Sequence, residues 1–203
     1  MFRRGFKSSS EEASLKIRRK LVLASTAPVD PASIAELLAI PILKPQELSD
    51  LPQDVCSRLQ QDHSDAWSAI TVSDGKSNLI VLNPTHAQTR LNSSLAHEIA
   101  HVILGHEPSV MFLMSQPETV PSQQEVILRT HNREQEDEAN WLAGCILLPR
   151  DALLHIRRLG LSDDRACSEY RVSPAMLRFR INATGVDVQG QRAQYRGPSP
   201  RSK

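Results

Sequence analysis

Residues 91–104 carry an apolar stripe at helical spacing, and two histidines interrupt it on one side. The stripe consists of Leu95, Ile99, Val102 and Ile103. It predicts a buried helix that ends at Gly105. His97 and His101 are four residues apart, so both imidazoles project from the same face of this helix. A core must therefore close around the helix, and it would hold both imidazoles rigidly.

The spacing of the two histidines is typical of a metal site. Both imidazoles can reach one ion, and zinc suits two neutral imidazoles plus an oxygen ligand, with its fourth position left to water. Zinc lowers the pKa of such a water to roughly 7. Glu98 follows His97 directly and would lie beside the ion, where it can accept the water's proton and pass it to a leaving amine. The alternative is an accidental match on a solvated face, but the pattern follows a predicted strand hairpin and lies in an apolar helix.

A metal site of this type needs a third protein ligand. His106 is nearest in sequence, yet a continued helix would turn it about 140° away from His101. The longer pattern H-E-x-x-H-x-x-G-x-x-H requires glycine and histidine where this chain has Leu104 and Glu107, so that pattern is rejected. The third ligand is therefore expected further along the chain.

An acidic run offers the third ligand, although four acids in five residues mainly describe a solvated helix face. Glu136 shares one face with Asn140 and with Ala143, a small residue that lets two helices approach closely. We expect Glu136 to bind the metal and the Asn140 amide to orient a histidine. Glu138 points elsewhere and remains the alternative ligand. Cys145 is half a turn out of phase with Glu136 and is expected in the core.

Two short strands are predicted ahead of the His97 helix. They cover residues 67–72 and 79–82, and the turn at 73–76 joins them into an antiparallel hairpin. The earlier segment 41–45 is bounded by prolines and is expected to be extended or looped. The sequence therefore predicts an α+β protein with a small, mostly antiparallel sheet packed on the His97 helix.

Helix signals occupy most of the remaining chain. Ser9 and Glu12 have the spacing of a capping box, and Asp30 and Ser173 each precede a proline at a helix start. His131-Asn132 could divide a long helix. The predicted helices cover residues 9–24, 31–39, 51–60, 123–148 and, as a short pair, 162–185, with an irregular connection over 107–124.

The charge of the chain is balanced overall and uneven along its length. Lys and Arg number 24 against 23 Asp and Glu, for a formal net charge of +1. The first 20 residues hold seven basic and two acidic side chains, and residues 189–203 hold four basic and no acidic ones, so the body between them is acidic. This balance excludes a wholly disordered chain and a polycationic nucleic-acid coat.

Cysteines and apolar runs bear on the compartment. Three cysteines without a C-x-x-C pair disfavour a disulfide framework and favour reduced thiols in a cytoplasm. No apolar run approaches the roughly 18 residues of a membrane span. The apolar stretch after the basic start is also shorter than the about 7–15 residues of a secretory signal. We therefore expect a cytoplasmic protein without a membrane segment.

Motifs in a fixed order extend from about residue 28 to residue 185. They comprise Val29-Asp30-Pro31 with Ile34-Ala35, Ile80-Val81-Leu82-Asn83-Pro84, Arg90, Leu95-Ala96-His97-Glu98-Ile99-Ala100-His101, Glu136-x-Glu138-Ala139-Asn140-Trp141-Leu142-Ala143, Leu147-Leu148-Pro149, and Tyr170-Arg171-Val172-Ser173-Pro174 with Arg178 and Arg180. On these residues the sequence resembles the ImmA/IrrE family of bacterial zinc metallopeptidases. It departs from the family at Leu142 and Leu148, where Phe and Met are usual. Residues 1–27 are too short for the helix-turn-helix module that members often carry.

The resemblance implies a zincin-like core and metalloendopeptidase activity. It implies one Zn²⁺ per chain bound by His97, His101 and, as third ligand, Glu136, with Glu98 as general base. Family members typically cleave helix-turn-helix repressors during stress responses or mobile-element induction. Such a repressor is therefore the protein substrate that the resemblance implies.

The expected organisation has four parts. They are a basic N-terminal helix or extension over 1–27, a zincin-like metallopeptidase domain over 28–150, a C-terminal helical subdomain over 151–186 and a disordered basic tail over 187–203. The residue that would stabilise the oxyanion stays open, the candidates being His131, His155, Tyr170 and Arg150.

The C-terminal helix pair supports a competing function. It has the length and turn of a helix-turn-helix unit, and Arg171, Arg178 and Arg180 could contact phosphates. The protein would then be a non-catalytic regulator that binds DNA or another protein. The acidic body gives little electrostatic footprint for nucleic acid, so a hairpin that packs on the core or docks the substrate is the favoured interpretation.

Overall fold

The computed structural model describes residues 2–48, 57, 67–73, 76–106 and 132–188. Helices dominate these residues. They are α1 (Phe6–Lys20), α2 (Pro31–Leu37), α3 (Gln88–Leu104), α4 (Arg133–Leu147), α5 (Arg150–Arg158), α6 (Asp163–Tyr170) and α7 (Pro174–Thr184). The strands are β1 (Ile42–Leu43), β2 (Ala69–Ser73) and β3 (Asn78–Leu82). The predicted α+β class is confirmed, with far more helix than sheet.

The three strands form one sheet in the order β1, β3, β2. β2 and β3 are antiparallel, with Thr71 opposite Ile80, and this confirms the predicted hairpin. β1, in the segment expected to be extended or looped, pairs parallel with β3 through Ile42 and Leu43. The antiparallel ladder has five residue pairs and the parallel ladder two, so the sheet is mostly antiparallel. Among the described strands, β2 forms an outer edge.

α1 begins earlier than its capping signal predicts. The helix starts at Phe6, after Gly5 with φ of 82°, and the hydroxyl of Ser9 donates to the carbonyl of Phe6 instead of capping an N-terminus. Phe6 is buried against Trp141 and Cys145 of α4. The expected start at Ser9 is wrong because Phe6, three residues earlier, packs on α4 and so stabilises an additional turn at the start of the helix.

Other helix boundaries follow the sequence signals. The Asp30 carboxylate accepts a hydrogen bond from the backbone N–H of Ala32 at 3.0 Å, and Ser173 caps α7 in the same way. Gly105 and Gly185 end α3 and α7 in the left-handed conformation that glycine adopts readily. These starts and stops are confirmed because each depends on a local hydrogen bond or on a local backbone conformation.

The core lies where α3 packs against α4. Ala96 and Ala100 of α3 and Ala139 and Ala143 of α4 are all buried. Side chains this small let two helix axes approach closely. β2 and β3 also pack on α3, so this helix is enclosed between the sheet and α4. The polar face of α3 is thereby held against the beginning of α4.

Arg180 is inside the molecule. It is fully buried, its Nε donates to a backbone carbonyl at 2.9 Å, and its guanidinium pairs with Glu11 of α1. Gly144 leaves room for it, since a Cβ there would lie 2.7 Å from its Cδ. The competing DNA-binding interpretation needed Arg180 as a possible phosphate contact, and that part of it is wrong because the Arg180 charge is buried and joins α7 to α1. Arg171 and Arg178 are exposed.

Several predictions lie outside the described residues. They are most of the helix over 51–60, the connection over 107–124, the start of the long helix with His131, and the tail from 189 onward. α4 begins after Asn132, whose side chain accepts hydrogen bonds from the backbone N–H groups of Glu134 and Gln135. No helix in the described ranges is long and apolar enough to cross a membrane.

Candidate metal centre

The candidate ligands come from two helices that meet in the core. α3 presents His97 and His101, and α4 presents Glu136 from its first turn. The Nε2 atoms of the two histidines are 3.0 Å apart. Oε2 of Glu136 lies 3.1 Å from Nε2 of His97, and its Oε1 lies 3.5 Å from Nε2 of His101. The three side chains are 14–23% exposed, so they are shielded but reachable from solvent.

These separations suit a metal ion. Zinc binds nitrogen and oxygen ligands at about 2.0–2.2 Å, so two ligand atoms on a tetrahedron lie about 3.3–3.6 Å apart. The observed values of 3.0, 3.1 and 3.5 Å fall close to that edge length. Two imidazole nitrogens and one carboxylate oxygen also form a donor set found in catalytic zinc sites. Across the described ranges, this is the only group of three or more His, Cys, Asp or Glu side chains that could hold a metal ion.

Glu98 lies beside the ligand group and is held by the sheet. Its Oε2 accepts hydrogen bonds from the backbone N–H of Thr71 at 3.1 Å and from the Thr71 hydroxyl at 2.7 Å. Thr71 is opposite Ile80, whose own N–H donates to Pro41 on the β1 side. The N–H of Thr71 therefore points to the outer edge of β2, where it donates to Glu98. The sheet thus fixes the direction of this carboxylate.

The two candidate carboxylates of α4 have different places. Glu136 lies with the two histidines, whereas Oε2 of Glu138 lies 3.3 Å from Nε2 of His106 and its Oε1 lies 3.8 Å from Nε of Arg3. The His106 side chain is 7% exposed, and its Nδ1 lies 3.0 Å from Nδ1 of His101. Glu138 and His106 therefore lie behind His101, on the side away from the other two ligand candidates.

Asn140 does not make the hydrogen bond expected of it. Its side chain is exposed, and within the described residues it bonds to neither His97 nor His101. The neighbour of His101 is His106 instead. Helical phase did not predict this contact, because phase does not describe a residue such as His106 that lies beyond the helix stop at Gly105.

A pocket of about 360 Å³ opens beside His97 and Glu98. Its other walls are small or uncharged: Ser68, Ala69, Ser93, Ser94, Asn140, Ala143 and Met176. The serines come from two separate segments and belong to no motif, so the sequence gives no signal for the pocket. Hydroxyl and amide groups of this kind can hydrogen-bond a peptide backbone or a neutral side chain.

None of the described oxyanion candidates lines this pocket. Tyr170 is buried, and its hydroxyl donates to the carbonyl of Thr26 at 2.7 Å. Burial raises the pKa of Tyr170 above its usual value. Arg150 and His155 lie on α5, and His131 is outside the described residues.

Cys145 belongs to the core, as its phase on α4 predicts. The residue is fully buried in the cluster with Phe6 and Trp141. Burial raises the pKa of its thiol to about 12, since the thiolate would have to exist in an apolar environment. A thiol with such a pKa is a poor metal ligand and a poor nucleophile near neutral pH.

The two helices bring two imidazoles and a carboxylate together, and a second carboxylate lies beside them. Metal-dependent hydrolases use this kind of site. The Peptidase_M78 family model, described as the IrrE N-terminal-like domain, matches residues 56–182, which is more than half of the chain. The chain therefore belongs to this family, ImmA/IrrE, as its motifs indicate, and the family is one of metallopeptidases. No curated protein matches the chain.

Proposed function

We propose that the protein is a zinc-dependent endopeptidase that binds one Zn²⁺ per chain. His97, His101 and Glu136 hold the ion in this proposal, and Glu98 is the general base. The observation that carries it is the placement of three side chains from two helices: the Nε2 atoms of His97 and His101 are 3.0 Å apart, and each lies 3.1–3.5 Å from an oxygen of Glu136. Membership of a metallopeptidase family supports the same assignment.

The proposed reaction is hydrolysis of a peptide bond. Zinc, when bound, supplies a Lewis acid that polarises the carbonyl and makes water acidic enough to react near neutral pH. Glu98 accepts the proton that water loses as its oxygen attacks the carbonyl carbon. The same carboxyl group then gives the proton to the amide nitrogen, so the C–N bond breaks and a neutral amine leaves. Two hydrogen bonds from Thr71 keep the carboxylate aligned during both transfers.

The outer edge of β2 is the proposed place of the substrate backbone. Thr71 donates its N–H to Glu98 at that edge, and the alternation of the ladder turns the backbone groups of Ala69 and Ser73 the same way. An extended peptide can add to a sheet edge through main-chain hydrogen bonds. Ala69 also borders the pocket, so a peptide laid along β2 would pass beside His97 and Glu98.

The finer parts of the proposal rest on the family resemblance. The substrate is a helix-turn-helix repressor, the site-bearing part has a zincin-like organisation, and the C-terminal helices form a subdomain that packs on it or docks the substrate. The protein acts in the cytoplasm, in line with its odd number of cysteines and the lack of a C-x-x-C pair. Direct DNA binding is not proposed, because one of the three arginines that supported it is buried.

Metal content tests the proposal first. Purified protein should contain about one zinc per chain by plasma mass spectrometry, and His97→Ala should lose it. His86→Ala is the matched control, since His86 is also a partly buried histidine, bonded to the Trp67 carbonyl at 2.9 Å, and should keep the zinc. Absence of zinc from the unaltered protein after reconstitution would overturn the proposal.

A cleavage assay tests the reaction itself. The zinc-loaded protein is incubated with purified helix-turn-helix repressors, and the products are identified by mass spectrometry. A single internal cut that a zinc chelator abolishes supports the endopeptidase assignment. Zinc-loaded protein that cuts no repressor would remove this substrate class from the proposal.

A further inference from the structure

We infer that His106 and Glu138 position His101 for the metal ion through two successive hydrogen bonds. The inference rests on the proposed function, because it takes His101 as a metal ligand. It gives a role to two residues that lie outside the ligand group. Both are positioning residues, since neither reaches the ion or the substrate.

The two ring nitrogens of His101 face different neighbours. Its Nε2 faces the ligand group, 3.0 Å from His97 and 3.5 Å from Glu136. Its Nδ1 faces away and lies 3.0 Å from Nδ1 of His106. The opposite nitrogen of His106, Nε2, lies 3.3 Å from Oε2 of Glu138. The four groups therefore form a continuous path from the ligand group to a carboxylate.

One arrangement of protons satisfies this path once a metal occupies Nε2 of His101. A neutral imidazole then carries its proton on Nδ1, so His101 donates to His106. Nδ1 of His106 must accept, and its proton is consequently on Nε2, which donates to Glu138. A carboxylate has no proton to donate and can only accept a hydrogen bond, so it fixes the direction of both bonds. Partners of this kind select the tautomer of a metal-bound histidine and fix the orientation of its ring.

The local backbone explains how His106 reaches this place. Gly105 adopts φ of 65° and ends α3, and the backbone N–H of His106 then donates to the carbonyl of His101 at 3.1 Å. The turn brings the His106 ring back to the His101 ring, which it meets edge-on with centroids 5.0 Å apart. Glycine adopts this conformation at little steric cost, so the turn that places His106 depends on Gly105.

Burial makes the contact specific. The His106 side chain is 7% exposed and that of Glu138 is 20% exposed, so water competes little for either group. A buried imidazole without a partner would be destabilising. The other oxygen of Glu138 lies 3.8 Å from Nε of Arg3.

Substitutions at His106 separate positioning from mere packing. His106→Phe keeps an aromatic ring and removes the acceptor, whereas His106→Asn keeps an oxygen close to the position of Nδ1. Zinc affinity is measured by competition with a chromophoric chelator, and site geometry by the visible absorption of the Co²⁺-substituted protein. We expect His106→Phe to lose about 10–100-fold in zinc affinity and to change the Co²⁺ spectrum, and His106→Asn to recover most of both.

Glu138 provides an independent second variant. Glu138→Leu should lower zinc affinity in the same direction as His106→Phe, whereas Glu138→Gln, which keeps an acceptor oxygen, should lower it less. This pair decides the inference if His106→Phe fails to fold, which circular dichroism reports. His86→Phe is the control for the loss of a partly buried, hydrogen-bonded histidine away from Glu138, and it should keep full zinc affinity.

The outcomes distinguish this inference from the function on which it rests. Normal zinc binding by the unaltered protein together with unchanged affinity in His106→Phe and Glu138→Leu would overturn the positioning role and leave the endopeptidase proposal standing. An equal loss in His106→Phe and His106→Asn would also overturn it, because packing alone would then account for the effect. No zinc binding by the unaltered protein would overturn both.

Discussion

Thr71 donates two hydrogen bonds to the Glu98 carboxylate, one from its backbone N–H and one from its hydroxyl. These bonds join the edge strand of the sheet to the helix that carries both histidines. They hold an acidic side chain of α3 beside the pocket, where the proposed base must meet water and substrate. A strand residue outside every motif therefore controls the direction of the residue that the motif singles out.

Removing the Thr71 hydroxyl should slow the reaction without releasing the metal. Thr71→Val keeps the β-branched shape and the backbone bond but loses the 2.7 Å contact with Glu98. Hydrogen bonds to charged groups contribute about 1.5–3 kcal/mol, so kcat should fall about tenfold or more. Thr71→Ser keeps a hydroxyl and should stay near the original rate. Steady-state cleavage rates at full zinc loading check this, and equal losses in both variants would contradict it.

Glu98→Gln should abolish cleavage while zinc remains bound. The amide fits the same space and can still accept from Thr71, but it cannot take a proton from water. General-base catalysis contributes about 10²–10⁴-fold, so cleavage should fall by at least that much. Zinc content and thermal stability should match those of the unaltered protein. Turnover at the original rate would remove Glu98 from the proposed mechanism.

Alanine at Glu136 should reduce zinc affinity far more than alanine at Glu138. Glu136 contributes an oxygen 3.1 Å from His97, whereas Glu138 contacts His106. Glu136→Ala removes one of three protein bonds to the ion. Glu138→Ala removes only the partner of His106, and the loss of such a supporting group lowers metal affinity about 10–100-fold at most. Chelator competition measures both constants. Release of zinc by Glu138→Ala alone would show that the ligand assignment is wrong.

The sequence predicts those parts of the fold and site that depend on local signals. The apolar stripe and Gly105 define α3, and the i, i+4 spacing of His97 and His101 places both rings on one face of it. The phase of α4 gives Glu136 as the carboxylate on the inner face, and the structure brings it to the histidines. Periodicity carries this information because it is set within one helix.

Contacts between distant segments could not be predicted in the same way. Thr71 meets Glu98 across 27 positions, and Arg180 meets Glu11 across 169. Such pairs depend on how helices and strands pack. Arginine is mostly found at the surface, so the sequence alone gives no sign that Arg180 is buried until its partner is known. Helical phase excluded His106 as a ligand. The turn at Gly105 brings it to Nδ1 of His101, a contact that helical phase cannot predict.

The ion pair between Arg180 and Glu11 should contribute strongly to stability. Glu11 also accepts the backbone N–H of Arg150 at 3.0 Å, and Glu11→Ala would leave a fully buried guanidinium without its counter-charge. Breaking a buried pair costs about 3–5 kcal/mol, and the partial exposure of Glu11 places the expected loss near about 3 kcal/mol. Urea unfolding measures it.

Glu12→Ala is the matched control for Glu11→Ala. Glu12 is the next residue and pairs with Lys16 at 2.9 Å, but both side chains are more than half exposed. Exposed pairs of this kind contribute little to stability, so Glu12→Ala should leave the free energy of unfolding nearly unchanged. Similar effects of the two substitutions would show that α1 is not held to the core by its buried charge.

Alkaline pH should destabilise the protein through Cys145. Burial raises the pKa of this thiol to about 12, against an ordinary value of 9.0, so between these values the unfolded chain releases a proton that the native state keeps. The unfolded state then binds fewer protons, and the free energy of unfolding falls as pH rises, by about 2 kcal/mol between about pH 9 and 11. Cys145→Ala should lower stability near neutral pH and lose this part of the slope, so its difference from the unaltered protein should narrow as pH rises. Urea unfolding at several pH values checks this prediction. Cys167→Ala is the control, and it should change the slope less because the Cys167 thiol is only partly buried. An unchanged slope in Cys145→Ala would assign the alkaline loss of stability to other groups.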